Sequence, residues 1–308
     1  MRGCRSENRS LALVPTLAAL VAALALVGAP GAAQAVQIVL FGDNFSVSQG
    51  TAWTTSGQIG TSGWQVNRSG ADWGGRIDGG VLALTNTASA TANVSGWVSA
   101  TRSNAGFGEG FSSTLGTNVQ PVEWFFNFQQ PRLNPGGFNS GSYGVAVVLA
   151  TNSTSLFSNG VGYAVVLGNV DTPDPVRLVR FTSGLNPNSG ITTLVTAPAG
   201  SGLLDPTTSH LSIRVIYDPD TDQWALYGRN DGGSFADPRA GTLTALGSAT
   251  DATHTNLPME NFGFYWQGST TANQTARFDN FSILLTPEPG RTLLLAVAAL
   301  ALLGRRRR

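Results

Sequence analysis

Apolar side chains recur at every second position in several segments of the chain, which is the period of a β-strand. Trp124, Phe126 and Phe128 occupy alternate positions of one such segment. In 145–149 and 161–167 both faces are apolar or small, which is typical of strands inside a sandwich. Helical periodicity is absent, and Gly, Asn, Asp and Pro separate the runs. We therefore predict an all-β fold, with further strands at 176–182, 191–196, 209–218, 223–230, 261–268 and 275–285.

One pair of these strands has a clear turn between them. The alternating run 211–217 leads into Asp218-Pro219-Asp220-Thr221-Asp222, and Trp224 and Leu226 then resume the pattern. Asp and Pro favour turns because of their local hydrogen bonds and fixed φ, so this segment predicts a β-hairpin.

The phrase Asp-Asn-Phe-Ser occurs twice, at 43–46 and at 279–282. We interpret it as two matching edge strands that pair and bring the ends of the domain together. Such closure suits a jelly roll.

The N-terminus has the three parts of a secretory signal. Arg2, Arg5 and Arg9 precede an apolar run over 11–27, and the small residues Ala33 and Ala35 follow. This pattern predicts a signal helix within residues 1–35, cleavage by signal peptidase before Val36, and export of the protein. An uncleaved membrane anchor is the alternative, which the helix-breaking Pro30 and Gly31 disfavour.

The C-terminus, 287–308, has a motif, a short apolar helix and a basic end. Pro287, Glu288 and Pro289 are followed by the apolar stretch 292–304 and by Arg305, Arg306, Arg307 and Arg308. A helix of that length spans roughly 20 Å, less than the hydrocarbon core of roughly 30 Å, so it makes a poor permanent anchor. We predict a sorting signal that holds the protein in the inner membrane transiently, with the arginines on the cytoplasmic side.

This tail resembles the PEP-CTERM sorting signal of Gram-negative bacteria that make extracellular polysaccharide. The resemblance implies recognition by an exosortase and final delivery to the cell envelope, the outer surface or the medium. Arg291, which lies between motif and helix, departs from the pattern, and the apolar stretch is short.

The segment 36–286 resembles the laminin-G-like and concanavalin A-like domains of exported bacterial proteins. The resemblance is carried by Phe41–Phe45, by the hairpin within Ser209–Gly228 and by Arg277–Ile283. It implies one jelly-roll β-sandwich domain. The fold by itself does not give a function.

The distribution of charge argues against a nucleic-acid partner. The formal net charge is zero, but eight of the 18 cationic residues lie in the two terminal segments. Ten arginines face sixteen acids in the domain, so its net charge is near −6, which repels phosphate backbones. Cys4 is the only cysteine and lies in the signal segment, which excludes disulfides and cysteine metal sites from the domain.

The acids of the domain show no glycosidase pattern. Glycoside hydrolysis normally needs two carboxyl groups about 5–10 Å apart, which on one strand means an i, i+2 or i, i+4 pair. Glu109, Glu123 and Glu260 have no acid at these spacings. His210 and His254 are isolated, and no nucleophile elbow is present. We expect a protein that is not an enzyme.

Asp218, Asp220 and Asp222 offer three oxygen ligands in one loop, so they are a candidate calcium site. The loop lacks the Gly and the bidentate Glu of an EF-hand. A plain turn is the alternative interpretation.

Two tryptophans in Gly-rich sequence are candidate sugar-binding residues. Trp64 lies near Asn67, and Trp73 follows Asp72. Sugars stack on exposed aromatic rings beside amides and carboxylates. Packing of a long loop against the sheet is the alternative.

Three function classes remain. The domain could bind polysaccharide, serve as a structural part of the envelope or biofilm without a small ligand, or act on glycans as an enzyme. The missing carboxylate pair disfavours the third class, and sorting tied to polysaccharide export favours the first.

Overall fold

The computed structural model describes residues 37–286, except 90–94, 140, 171 and 269–273. Both predicted processing segments lie outside the described residues, with Ala33 and Ala35 at one end and Pro287, Glu288, Pro289 and Arg305–Arg308 at the other. Within the described part, no helix combines the length and apolar character needed to cross a membrane.

The described residues form strands and two single-turn 3-10 helices, Leu115–Thr117 and Asn188–Gly190. The strands are β1 Ile38–Asp43, β2 Gly57–Gln58, β3 Gln65–Arg68, β4 Gly74–Asp78, β5 Val81–Thr85, β6 Gly96–Ser103, β7 Val122–Gln129, β8 Gly144–Thr151, β9 Gly162–Leu167, β10 Val176–Phe181, β11 Ile191–Thr196, β12 His210–Asp218, β13 Gln223–Gly232, β14 Thr244–Thr250, β15 Asn261–Gly268 and β16 Thr275–Leu285. The all-β prediction is confirmed, and the strands predicted from residue 124 onward agree with those observed.

The strands make two antiparallel sheets. Sheet A has the order β14-β13-β12-β7-β16-β5-β4, with β1 also paired to β16, and sheet B has the order β11-β10-β9-β8-β15-β6-β3-β2. Several connections along the chain cross from one sheet to the other, including those from β5 to β6, from β7 to β8 and from β15 to β16. This crossing pattern is that of a jelly-roll sandwich, as the sequence predicts.

Two hydrophobic cores explain why the central strands are apolar on both faces. One core lies between the sheets and contains the inward side chains of β8, Val145, Val147 and Leu149. A second core covers the outer face of sheet B, where Ala146 and Val148 pack among other buried side chains, including Phe138, Leu156 and Leu185 from connecting loops. Sheet B is therefore buried on both sides along its centre.

The ends of the domain pair as predicted, although Asp43 is the only residue of the first Asp-Asn-Phe-Ser copy that lies in the ladder, opposite Phe281 of the second copy. β1 runs antiparallel to β16 from Ile38 opposite Leu285 to Asp43 opposite Phe281. The expectation of two edge strands is wrong for the second copy, because β16 lies inside sheet A between β7 on one side and β5 and β1 on the other.

The 211–226 hairpin is also confirmed. β12 and β13 pair from Ile213 opposite Gly228 to Asp218 opposite Gln223. Asp222 closes the turn with a φ of 52°, in the left-handed region that Asp tolerates better than most residues.

Candidate functional site

Trp64 and Trp73, which the sequence suggested as sugar-stacking residues, are buried in the core. Both side chains are 0% exposed. Trp64 lies against Phe264 with ring centroids 4.9 Å apart, and Trp73 lies 5.0 Å from Trp266. A buried ring has no face to offer a ligand, so this part of the prediction is wrong and the packing alternative is correct.

The polar neighbours of these tryptophans hold the chain in place. Asn67 on β3 donates a hydrogen bond of 3.2 Å to the carbonyl oxygen of Thr154. Asp72, in the loop that follows β3, is buried and accepts a hydrogen bond from the hydroxyl of Ser89. The structure therefore does not gather Asn67 and Asp72 with the two indoles into one binding site.

The three aspartates of the β12–β13 turn are not arranged as a metal site. The Asp218 carboxylate accepts hydrogen bonds from the backbone N–H of Asp220 at 3.0 Å and from the hydroxyl of Thr221 at 2.7 Å. Asp222 accepts one of 2.6 Å from the Tyr217 hydroxyl. In the described part of the chain, no group of three His, Cys, Asp or Glu side chains could hold a metal ion. The geometry is that of the plain turn.

Of the seven tryptophans, only Trp53 and Trp97 are partly exposed rather than buried. Trp97 lies on the outer face of sheet B, and its ring stacks on Phe157 with centroids 5.3 Å apart and an interplanar angle of 10°. Trp53 differs because the guanidinium of Arg76 lies 4.2 Å above its ring. Of these two partly exposed indoles, Trp97 is therefore the one that packs against another aromatic ring.

Trp97 lines a cleft of about 230 Å³, which we call the Trp97 cleft. The cleft combines two aromatic rings with hydroxyl and amide side chains, and its walls include Ser69, Gly96, Trp97, Phe157, Asn186 and Gln267. An apolar surface with a few convergent polar groups is the usual composition of a small-ligand site.

Hydrogen bonds hold the amide wall of the cleft in one orientation. The Gln267 side chain is almost fully buried, and its Oε1 accepts hydrogen bonds of 2.7 Å from the Tyr265 hydroxyl and 3.2 Å from Asn186 Nδ2. Its Nε2 donates a bond of 2.8 Å to the carbonyl oxygen of Asn139. The backbone N–H of Asn186 donates to the carbonyl oxygen of Phe157, also at 2.8 Å. The aromatic and amide walls are therefore tied to each other before any ligand arrives.

Gly96 leaves room at the floor of the cleft. A Cβ atom at this position would lie 2.2 Å from Ser69 Oγ and 2.5 Å from Trp73 Nε1. Only glycine fits between these atoms. Trp73 Nε1 is buried and has no hydrogen-bond acceptor in the described structure, so an unused donor lies directly behind the cleft floor.

Trp97 lies on a strand and not in a Gly-rich loop, and its position in the alternating pattern of β6 is the sequence signal for it. Val98 and Ala100 of β6 point into the core, so the residue before Val98 must face outward. A large aromatic residue on the outer face of a strand is the informative pattern.

Two aspartates of the repeated phrase come near each other although they lie 236 positions apart in the chain. Burial, together with the charge of Asp43, raises the pKa of Asp279 to about 6, against the opposing effect of the Asn280 N–H. Asp43 accepts hydrogen bonds from Phe45 N at 2.8 Å and Trp64 Nε1 at 2.9 Å, and Asp279 accepts one from Asn280 N at 2.7 Å. A search for acid pairs along single strands could not find this pair.

Comparisons with protein-family models and with curated proteins give no match. Among solved structures, a lectin from Bauhinia forficata in complex with GalNAc is 12% identical with a TM-score of 0.46, covering 82% of this chain and 99% of that one. The CBM2 module of the evolved Dit of Lactobacillus casei BL23 phage J-1 is 9% identical with a TM-score of 0.46, covering 82% and 97%. Peanut lectin with a 9mer peptide is 17% identical with a TM-score of 0.42, covering 76% and 97%. Because these TM-scores are below 0.5, the assignment of the fold rests on the strand order, and no ligand is carried over.

Proposed function

We propose that this chain is an exported protein of the cell envelope or extracellular matrix whose β-sandwich binds polysaccharide without acting on it. The observation that supports binding is the Trp97 cleft, where a partly exposed indole stacked on Phe157 adjoins the fixed amides of Asn186 and Gln267.

The chemistry of the cleft suits a sugar ring. One face of a pyranose is made mainly of C–H groups and packs on aromatic carbon, while its hydroxyl groups need hydrogen-bond partners at the rim. Trp97 and Phe157 supply the carbon surface, and Ser69 and Asn186 supply polar groups on the walls. Because the walls are already tied together, little side-chain entropy is lost when a ligand binds.

Replacing Trp97 tests this proposal. Trp97→Ala should weaken binding to soluble polysaccharide about tenfold or more, because it removes the larger aromatic surface of the cleft. The measurement is retardation of the full chain in native gels that contain dextran, galactomannan or xyloglucan. Trp53→Ala is the matched control, since Trp53 is also partly exposed but lies under Arg76. Equal retardation of the wild type and Trp97→Ala would contradict the proposal, and so would the absence of retardation in every gel.

The export part of the proposal rests on the two terminal segments. Signal peptidase removes residues 1–35, and an exosortase recognises Pro287-Glu288-Pro289 while residues 292–304 hold the protein in the inner membrane. The intact mass of the secreted form should correspond to a chain that begins at Val36 and lacks the terminal arginines. A full-length mass near 32.0 kDa in the extracellular fraction would contradict processing.

The sorting motif has a separate test. Replacing Pro287, Glu288 and Pro289 by alanine should leave export intact but retain the protein in the inner membrane. The reason is that the N-terminal signal directs export, whereas the C-terminal motif directs the later sorting step. Normal surface delivery of this variant would show that the motif is not used.

A further inference from the structure

The loop 233–243 between β13 and β14 crosses the outer face of sheet A, on the side of the sandwich opposite the Trp97 cleft. We call this loop the strap. Fully buried polar side chains of the sheet hold its first half: Asn127 Nδ2 donates a hydrogen bond of 2.9 Å to the carbonyl oxygen of Ala236. The backbone N–H of Ala236 donates to Asp231 Oδ2 at 3.2 Å, and the same carboxylate oxygen accepts a bond of 2.6 Å from Ser212.

Arg229 holds the second half of the strap. Its Nε donates to Asp231 Oδ1 at 2.6 Å, and its Nη1 donates to the carbonyl oxygen of Ala240 at 2.8 Å. The strap is therefore fixed at positions 236 and 240, on both sides of Asp237 and Arg239. These two side chains are exposed, and Asp237 Oδ1 accepts the N–H of Arg239 at 2.8 Å, which sets the turn between them.

Two cavities of about 650 and 380 Å³ adjoin this turn. Both are lined by Asp237 and Arg239, so they adjoin each other at these two side chains, and we call the two together the strap groove. The larger cavity is also lined by Phe125, Tyr227 and Arg214.

Arg214 is held rigidly in the larger cavity. Its Nε and Nη2 each donate a hydrogen bond of 2.9 Å to the carboxylate of Glu123, which is buried in the sheet. Its guanidinium carbon lies 5.4 Å from the ring centroids of both Phe125 and Tyr227. This arrangement leaves Nη1 of Arg214 with no acceptor among the described residues, so a donor remains for a ligand.

The smaller cavity holds a second unused polar group. Ser282 lines it, and the serine Oγ is buried without a hydrogen-bond partner in the described structure. The guanidinium of Arg239, at the junction of the two cavities, likewise makes no hydrogen bond or ion pair with the described residues. A buried hydroxyl without a partner costs free energy, so Ser282 is a polar group that the fold itself leaves unsatisfied.

The charges of the groove select a class of ligand. The wall shared by the two cavities offers one carboxylate, Asp237, and one free guanidinium, Arg239, while Glu123 neutralises Arg214. Asp43 also lines the smaller cavity, and its carboxylate accepts hydrogen bonds from Phe45 N and Trp64 Nε1. A sugar hydroxyl both donates and accepts, so neighbouring hydroxyls match this mixed pair. An anionic polymer would be repelled by Asp237 and by a domain of net charge near −6, and a cationic polymer would be repelled by Arg239.

We infer that the strap groove is a second carbohydrate site, which takes a segment of a neutral polysaccharide with vicinal hydroxyl groups. The existence of this site does not depend on the Trp97 cleft. Where the proposed function also holds, the two sites lie on opposite faces of the sandwich, and one molecule bridges two polysaccharide chains.

The experiment compares four variants of the full chain with the wild type. Asp237→Asn and Arg239→Gln alter the groove. The Asn side chain keeps an oxygen that can accept the backbone N–H of residue 239, and the Gln side chain stays polar but removes the charge. Trp97→Ala alters the other site, and Asp205→Asn is the control, because Asp205 is an exposed acid outside both. The probes are dextran, galactomannan and xyloglucan, and short oligosaccharides made from them, titrated by calorimetry.

The wild type should bind two oligosaccharides per chain and make a polysaccharide solution turbid by cross-linking. Each groove variant should lower affinity at one site about tenfold or more, as expected for a lost hydrogen bond to a charged group, and should abolish cross-linking while the other site still binds. Trp97→Ala should give the reciprocal result.

Two of three alternative outcomes would overturn the inference of a site in the strap groove. A stoichiometry of one that depends on Trp97 and not on Asp237 or Arg239 would remove the second site and leave the proposed function standing. A stoichiometry of one that depends on the groove residues alone would confirm the groove, but it would remove the Trp97 cleft and the bridging. No binding of any probe would overturn both sites.

Discussion

The indole nitrogen of Trp64 donates a hydrogen bond of 2.9 Å to the carboxylate of Asp43, at the end of β1. The same carboxylate accepts the backbone N–H of Phe45 through its other oxygen, at 2.8 Å. One aspartate thus satisfies a fully buried indole and fixes the chain where β1 ends.

Removing this carboxylate should destabilise the protein. Asp43→Ala leaves the buried N–H of Trp64 without an acceptor, which costs about 1–3 kcal/mol of unfolding free energy. For a domain of this size the melting temperature should fall by about 2–4 °C for each kcal/mol. Asn44→Ala, at the exposed next residue, is the control and should change stability by less than about 0.5 kcal/mol. Equal melting temperatures for the Asp43 variant and the wild type would contradict the role of this bond.

The ion pair between Glu123 and Arg214 should behave as a unit. Arg214→Met leaves the buried Glu123 carboxylate without its partner. Breaking a fully buried pair costs about 3–5 kcal/mol, and because the Arg214 side chain is 31% exposed, we expect a loss below that range. The double variant Glu123→Gln with Arg214→Met should recover much of that loss, because no buried charge remains. Chemical denaturation of the wild type, Arg214→Met, Glu123→Gln and the double variant measures the coupling, and additive losses would show that the two residues are independent.

Asp279→Asn should stabilise the protein in a pH-dependent way. The pKa of Asp279 is about 6 in the folded protein and near 3.8 when unfolded, so the folded state retains a proton that the unfolded state releases between these values. Stability from this group is therefore lost as the pH rises from about 4 through 6. Because the side chain is only partly buried, the gain from the variant at pH 7 should be on the order of 1 kcal/mol.

Melting temperatures of the wild type and Asp279→Asn at pH 3, 5 and 7 test this expectation. The difference should be small at pH 3 and should grow with pH. Glu109→Gln, at an exposed acid, is the control. A constant difference at all three pH values would show that charge is not the cause.

Calcium should leave the melting curve unchanged. The carboxylates of Asp218 and Asp222 already accept hydrogen bonds within the turn and from Tyr217, and do not converge on a common point with Asp220 in a metal-binding group. Millimolar calcium or EDTA should therefore shift the melting temperature by less than the measurement error. An increase of several degrees with calcium, abolished in Asp220→Asn, would restore the metal-site interpretation.

The sequence predicts most strands from residue 124 onward because burial on one or two faces imposes a period of two on the side chains. It does not predict β2 to β6 or β14. In β4, β6 and β14, Gly, Ser, Thr and Ala interrupt that contrast. The repeated phrase predicts the pairing of β1 with β16, since matching segments at the two ends have few other partners.

The candidate sites are less predictable because they depend on register and on residues far apart in the chain. Trp64 lies in Gly-rich sequence like a binding residue, yet an acid 21 positions earlier satisfies its indole and lets it enter the core. Trp97 meets Phe157 and Gln267 only because β6 pairs with β15 and the β8–β9 loop folds over sheet B. The strap is held by Asn127 and Arg229, whose roles no local pattern reveals.

The pairing of β1 with β16 has a mechanical consequence. Ile38 and Leu285 are opposite each other, and Gln37 Nε2 donates a hydrogen bond of 3.3 Å to Thr286 Oγ1, so both ends of the sandwich leave it at one point. A tensile load between the two ends would break the β1–β16 hydrogen bonds one after another, as in unzipping, and not together, as in shear. A load carried by the C-terminal end alone instead acts on β16, which β7 and β5 also hold. In the mature chain that we propose, which begins at Val36, only two residues precede β1, so little chain remains there through which β1 could be pulled away from β16.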